Sequence, residues 1–273
     1  MITKTSSSRC DVLIVGGRCA GAATAMLLAR RGLRVRVVEK RAYGADALST
    51  HALMRGAVMQ LRHWGLLDRL RAAGTPPVKS AVFVYGQERI AVDVRPTDGV
   101  DALFAPRRTV LDALLADAAR DAGARIEFGS AWVGALRDGQ GRMRGAVLEA
   151  PDGSRDTVQA DIVIGADGIG SGIAQAAGAG IVREGRHASA ILFAYWNGME
   201  DDTYEWGYHD KISTGVIPTN DGKACVFVAI PAGYFKPLGG EALRRHYCNL
   251  IARRAPALHE RLRGATLAGT VRA

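Results

Sequence analysis

Short apolar runs and one strongly helical stretch organise the first forty residues. Val12–Val15 is a four-residue apolar run after Asp11, stopped by Gly16-Gly17. A run of this kind, bounded by turn residues, predicts a buried central strand. Beyond Gly21, "AATAMLLARR" is rich in strong helix formers, with Arg30 and Arg31 in the expected last turn and Gly32 as the stop. "RVRVVEK", ending at Lys40, supplies a second strand with β-branched residues. Strand, helix and strand make a βαβ unit, whose crossover helix makes the two strands parallel.

Two later segments share this character. "RRTVLDALLADAARDAGARIEFG", from Arg107, reads as an amphipathic helix followed by a strand, and "ADIVIGADGIGS", Ala160–Ser171, as an apolar strand running into Gly165-Ala166-Asp167-Gly168. The stretches between and after them alternate instead. "KSAVFVYGQERIAVDVRP", from Lys79, reads as two half-exposed strands about a Gly86 turn, and from Ala188 the pattern resumes with "TNDG" as a hairpin turn. Tyr204, Trp206 and Tyr208 fall on one face of a strand. That face either roofs a flat apolar ligand or belongs to an ordinary sheet core. No internal repeat, low-complexity tract or long linker separates independent modules. The predicted class is therefore α/β, with a Rossmann-like domain over 1–75 and 101–178. A mostly antiparallel sheet domain is interleaved over 76–100 and 179–273.

Composition narrows the partners. The chain has 273 residues, 48% hydrophobic and 23% charged, ordinary values for a globular protein. The net charge of +9 suggests nucleic acid at first sight, but the arginines are scattered and no basic run exceeds two residues. The densest stretch, Arg244–Arg263, reads as solvated helical faces without a nucleic-acid reading motif. An anionic cofactor is a more economical use for a few of these arginines. Cys10, Cys19, Cys225 and Cys248 lack ligand-like spacing and read as free thiols, so no metal is expected. The polar leader and the short apolar run after it predict neither a signal peptide nor a membrane span. Together these features predict a cytoplasmic protein.

The opening turn carries the chemistry. Gly16 makes the tight turn, Gly21 lets the helix approach the strand, and the helix N-terminus presents amides and a positive dipole end to a pyrophosphate. Glu39 lies 18 positions beyond Gly21, where a carboxylate would accept hydrogen bonds from a ribose. Arg18 stands where the dinucleotide fingerprint has its second glycine. Its side chain must point away from the phosphates, or else curl back and pair with their oxygens.

The turn, the "GADG" strand and the Arg107 helix together resemble the para-hydroxybenzoate-hydroxylase-type FAD-dependent oxidoreductases. That group includes aromatic-ring monooxygenases and geranylgeranyl-reductase-like enzymes, and some members carry arginine at the position of Arg18. The resemblance covers nearly the whole chain. It implies FAD as cofactor, with Gly16, Gly17, Arg18, Cys19, Ala20 and Gly21 lining the pyrophosphate and Glu39 and Lys40 near the adenosine ribose. Arg108, in an Arg-x-x-Leu pattern with Leu111, would reach the phosphate and ribityl side, or else form a salt bridge on its own helix. Asp167 and Gly168 match an Asp-Gly motif of the cofactor cleft, with a turn-stabilising role for Asp167 as the alternative. Ser49, Thr50 and His51 fall in a loop expected near the flavin ring.

The departures are specific. Gly170 stands before Ser171 where the group usually has arginine, and Ala174 replaces another common basic residue, which bears on NAD(P)H as reductant. "STGV" before Ile217-Pro218 departs from the Trp-x-Trp-x-Ile-Pro stretch of related halogenases and disfavours halogenation. A second Gly-Asp motif, which in the group binds the ribityl chain, does not occur after Gly168. The expected activity is NAD(P)H-driven monooxygenation of an aromatic or polyene small molecule. The alternatives are a geranylgeranyl-reductase-like saturase, or a flavin-binding or interaction protein without turnover. Without the Gly-Asp segment, weak FAD binding and self-association, or a partner covering the incomplete face, are expected.

Overall fold

The computed structural model describes residues 7–49, 52–199 and 201–273. In chain order it begins with β1 (Ser7–Val15), α1 (Cys19–Ala29), β2 (Val35–Glu39), α2 (Arg55–His63) and α3 (Leu67–Ala72). Next come β3 (Pro77–Val78), β4 (Ser80–Tyr85), β5 (Glu88–Asp93), β6 (Leu103–Phe104) and α4 (Arg108–Asp121). Four further elements follow: β7 (Arg125–Phe128), β8 (Ala131–Arg137), β9 (Met143–Glu149) and β10 (Arg155–Gly165). The remainder is α5 (Gly172–Ala176), β11 (Ser189–Asn197), β12 (Tyr204–His209), β13 (Ile212–Pro218), β14 (Lys223–Pro231), α6 (Gly240–Arg254), α7 (Pro256–Arg263) and β15 (Thr266–Arg272).

These elements form two compact units. The first takes the chain up to Asp46 together with Arg108–Val182. Its sheet has the order β7-β2-β1-β10-β9-β8. β1 pairs in parallel with both β2 and β10, and β2 with β7, whereas β9 and β8 extend the sheet antiparallel. Leu13 and Ile14 of β1 are completely buried, as its apolar run requires. α1 turns Ala22, Ala25 and Met26 inward and packs against α4, which buries Leu111, Leu114 and Leu115. α1 begins at Cys19, so Gly21 lies inside its first turn, and it ends at Ala29, so Arg30 and Arg31 fall just beyond it. Gly32, with φ of 82°, ends the helix as expected. Arg36, buried on β2, pairs at 2.9 Å with both Glu127 of β7 and Asp156 of β10.

The second unit, 47–107 with 183–273, holds a sheet of order β15-β11-β14-β13-β12-β4-β5 among the described residues. It is antiparallel except where β12 meets β4. The expected strands about Gly86 and the "TNDG" turn are present as β4–β5 and β13–β14, with Asp221 in a left-handed turn conformation. The Arg244–Arg263 stretch is helical and lays one face on this sheet. Leu243, Tyr247, Ile251 and Leu258 pack there against Leu192, Val226 and Val228. Fully burying each such aliphatic side chain contributes ~1.5–3 kcal/mol. The Tyr247 hydroxyl accepts from the Trp196 indole N–H and donates to the Val226 carbonyl, both at 3.1 Å.

The opposite sheet face is aromatic. Phe193, Tyr195, Tyr204 and Phe227 bury with Val78, Leu103 and Ala105 from the segment containing the small β3–β6 pair. Tyr204, Trp206 and Tyr208 leave the plane of the strand on the same side but meet different surroundings. Tyr204 is completely buried, Trp206 half-buried, and Tyr208 exposed and stacked on Tyr85 at 5.1 Å. Tyr204 thus belongs to the sheet core.

The compact units differ from the division at 75, 101 and 178. Residues 47–75 and 101–107 pack within the second unit. Leu53 bridges to Phe104, and the Asn220 side chain binds the Ala73 carbonyl, the Thr75 hydroxyl and the Arg107 amide. These bonds tie both segments to the β13–β14 turn, and no local periodicity signals such long-range pairing. Removing the hydroxyl in Tyr247→Phe leaves a buried indole N–H and a buried carbonyl without this partner. We expect a loss of ~1–3 kcal/mol in urea unfolding, with the slope of the transition unchanged.

Candidate cofactor site

β1 ends at Val15, and its carboxyl end is where ligands bind in parallel α/β sheets. Gly16 turns the chain there with φ of 101°. A Cβ on Gly16 would lie 2.2 Å from the Ala166 carbonyl oxygen, and one on Gly21 would lie 1.7 Å from the Gly16 oxygen. No side chain fits at either position. The Ala166 amide also donates to the Val15 oxygen at 2.7 Å, so the turn after β10 is locked to the turn after β1.

Gly17 meets the second strand in the same way, since its Cβ would be 2.9 Å from that of Glu39. The buried Glu39 carboxylate accepts from the Gly17 amide at 2.8 Å and from the Arg41 amide at 2.9 Å. A carboxylate offers about four acceptor directions, so Glu39 is both a brace of the turn and an acceptor with capacity left. Lys40 and Ala20 are exposed at the margins of this arrangement.

Arg18 resolves the departure from the glycine pattern. Its backbone is extended at the start of α1, and its guanidinium donates to the carbonyls of Ala45 and Asp46 at 2.8 and 3.1 Å. Its Nε lies 3.7 Å from Asp112. The side chain therefore holds the loop after β2 and stays beside the turn, with Gly17 and Glu39.

Asp112, buried on α4, gathers further groups. Arg108, one helical turn earlier, contacts both carboxylate oxygens through one terminal nitrogen at 2.9 Å and adds Nε at 3.0 Å. The Cys19 thiol donates to the same carboxylate at 2.9 Å. Burial pushes the Cys19 thiol up, and its bond to Asp112 adds to the shift, to about 12. Burial opposes the charge on Arg108, but the Cys19 and Asp112 partners outweigh it and raise its pKa. The salt-bridge reading of Arg108 is thus present in the structure.

Ser171 caps the short α5, and Asp167 braces that cap. Partial burial would raise its carboxyl pKa, but the Ser171 hydroxyl, at 2.6 Å, and the Ile173 amide, at 3.3 Å, outweigh this and hold it low. Gly168 follows with φ of 92°, exposed. Ser49 is half-buried in the loop before α2, within the second unit. Thr50 and His51 lie outside the described residues.

Beside the turn is a shallow, open concavity lined among others by Gly17, Arg18, Glu39, Tyr43, Asp112 and Phe128. Tyr43 meets Phe128 edge-on at 5.4 Å, and the Arg120 guanidinium lies over both rings. Asp112, Tyr43, Phe128 and Ala166 were absent from the sequence-based set. Asp112 had one signal, its position four residues after Arg108 on an amphipathic helix. Tyr43 sits in a loop and had none.

A parallel sheet, a glycine turn at a helix N-terminus and an acidic residue ending the next strand define a dinucleotide-binding protein of the Rossmann kind. The chain matches the FAD binding domain family over residues 9–254 and belongs to it, among the para-hydroxybenzoate-hydroxylase-type FAD-dependent oxidoreductases. It is 33% identical over 183 residues to violacein synthase of Chromobacterium violaceum, covering 63% of this chain and 41% of that protein. Over 237 residues it is 31% identical to aklavinone 12-hydroxylase of Streptomyces purpurascens, covering 77% and 43%. The chain thus spans less than half the length of these relatives. The solved structure of the myxobacterial chondrochloren halogenase shares the fold, with a TM-score of 0.81 at 20% identity, covering 97% of this chain and 63% of that one. Among the described residues no helix is long and apolar enough to cross a membrane.

Two outcomes test the turn. Gly21→Ala should destabilise the apo-protein by ~3 kcal/mol or more, seen as a large fall in the urea midpoint, because the contact it meets is backbone rather than a movable side chain. A carboxyl held low by folding contributes stability above the ordinary carboxylate pKa and loses it as pH falls through the lowered one. Asp167→Asn should therefore destabilise at pH 7, and the difference from the parent should shrink below about pH 4 in denaturant melts.

Proposed function

We propose that this chain holds the adenylate half of the cofactor in an FAD-dependent monooxygenase acting on an aromatic or polyene small molecule, with NAD(P)H as reductant. The β1–α1 turn carries the reading. Gly16, Gly17 and Gly21 each occupy a place where a Cβ would come within 2.9 Å of a neighbouring atom, at the start of a helix and beside a buried carboxylate.

The residues present fit that cofactor. A diphosphate needs N–H donors and positive charge at close range, and the first turn of α1 with Arg18 and Arg108 supplies both. Glu39 retains acceptor capacity for ribose hydroxyls and lines the concavity with Tyr43 and Phe128. When bound, FAD supplies the electron transfer and the activation of oxygen. The work of this chain is to bind the cofactor, orient it and exclude water. An aklavinone 12-hydroxylase and a phenol 2-monooxygenase among the relatives support oxygen insertion, and a digeranylgeranylglycerophospholipid reductase among them keeps saturation as the alternative. The unpaired cysteines suit a reducing, cytoplasmic compartment.

Titration of the purified chain with FAD, followed by flavin fluorescence, tests the cofactor reading. Saturable binding is expected, and Glu39→Ala should weaken it by ~1.5–3 kcal/mol through loss of a charged acceptor. Absence of binding in the folded parent would overturn the reading. Oxygen from labelled O₂ should appear in the product. A product saturated without oxygen would support the reductase alternative instead.

A further inference from the structure

We propose that Asp112 is a positioning residue of the cofactor site, gathering Arg18 and Arg108 beside the first turn of α1 so that both guanidinium groups act on one diphosphate. The inference rests on the flavin reading above and assigns a role to a residue outside the glycine turn.

The geometry is convergent. One buried carboxylate on α4 receives a forked contact from Arg108, a thiol hydrogen bond from the first residue of α1 and the approach of Arg18 at 3.7 Å. Arg108 and the Cys19 thiol meet at the same Asp112 oxygen, so the guanidinium is held close to the helix start. Among the described residues, Arg18 otherwise donates to two backbone carbonyls, those of Ala45 and Asp46. Asp112 is thus the group common to α1, α4 and the side chain that braces the loop after β2.

The charges explain why a carboxylate is tolerated where an anion would bind. Cys19 is neutral, because its thiol titrates only at about 12. One carboxylate and two guanidinium groups leave a net charge of about +1 beside the positive end of the helix. A lone buried carboxylate would repel a diphosphate. Paired twice, it instead fixes two long side chains that would otherwise lose rotamer freedom on binding the ligand.

Asp112→Asn separates placement from charge. It keeps the shape and raises the local positive charge by one, so charge alone predicts tighter binding of an anion. Placement predicts the reverse. We expect affinity for both FAD and ADP to fall roughly tenfold or more, and Asp112→Glu to recover part of the loss. Arg108→Ala should cost less in the Asp112→Asn background than in the parent, because the arginine has already been released. Apo-protein melting curves, taken alongside, express each affinity per folded molecule.

Unchanged or tighter binding of FAD and ADP by folded Asp112→Asn would overturn the assignment to Asp112 alone. So would an equal Arg108→Ala penalty in both backgrounds. Failure of the folded parent to bind either FAD or ADP would overturn the flavin reading and this inference with it.

Discussion

Three stretches of backbone meet at the end of β1 without a side chain between them, and the architecture of the cofactor turn depends on that contact. Gly16 touches Ala166 on one side and the first turn of α1, at Gly21, on the other. Parallel pairing of β1 with β10 brings the two turns to the same level, and the Ala166 amide fastens them. Because the helix can start this close to the strand, its first amides face the carboxyl end of the sheet. A methyl group at either glycine would push the helix away and remove that feature before any ligand was involved.

Around this contact the polar side chains act as braces. Glu39 holds the Gly17 amide, Arg18 holds the loop after β2, and Asp112 draws Arg108 and Cys19 together. Each bond joins groups far apart in sequence, apart from the Arg108–Asp112 pair, and each lies partly or fully out of water, where electrostatic interactions are stronger. The overall positive charge of the chain therefore says little by itself. What matters here is that two arginines are concentrated at one helix start while Arg36 is consumed in a buried bridge between strands.

The second unit follows a different logic. Its sheet needs cover on two faces. α6 and α7 cover one, and the segment containing β3 and β6 packs on the aromatic residues of the other. Asn220 shows how a single polar side chain at a hairpin turn can hold two distant loops, satisfying the Arg107 amide and the Ala73 carbonyl at once. The helices shield apolar surface. The asparagine supplies register.

Local pattern was enough to identify the βαβ unit, the strand before Asp167, the hairpins about Gly86 and Asn220, and the basic helices near the C-terminus. In each, hydrophobic period and turn chemistry agree within a few residues of sequence. It was also enough to mark Gly16, Gly17, Gly21 and Glu39 as one constellation, because their spacing is set by a single strand–helix–strand unit. The direction of Arg18, its meeting with Cys19 at Asp112 and the burial of Tyr204 were decided by tertiary structure. So was the attachment of 47–75 and 101–107 to the second unit. Those outcomes depend on which side chains other elements bring within 3–4 Å, and a long side chain carries no sequence signal for which of several partners it will reach.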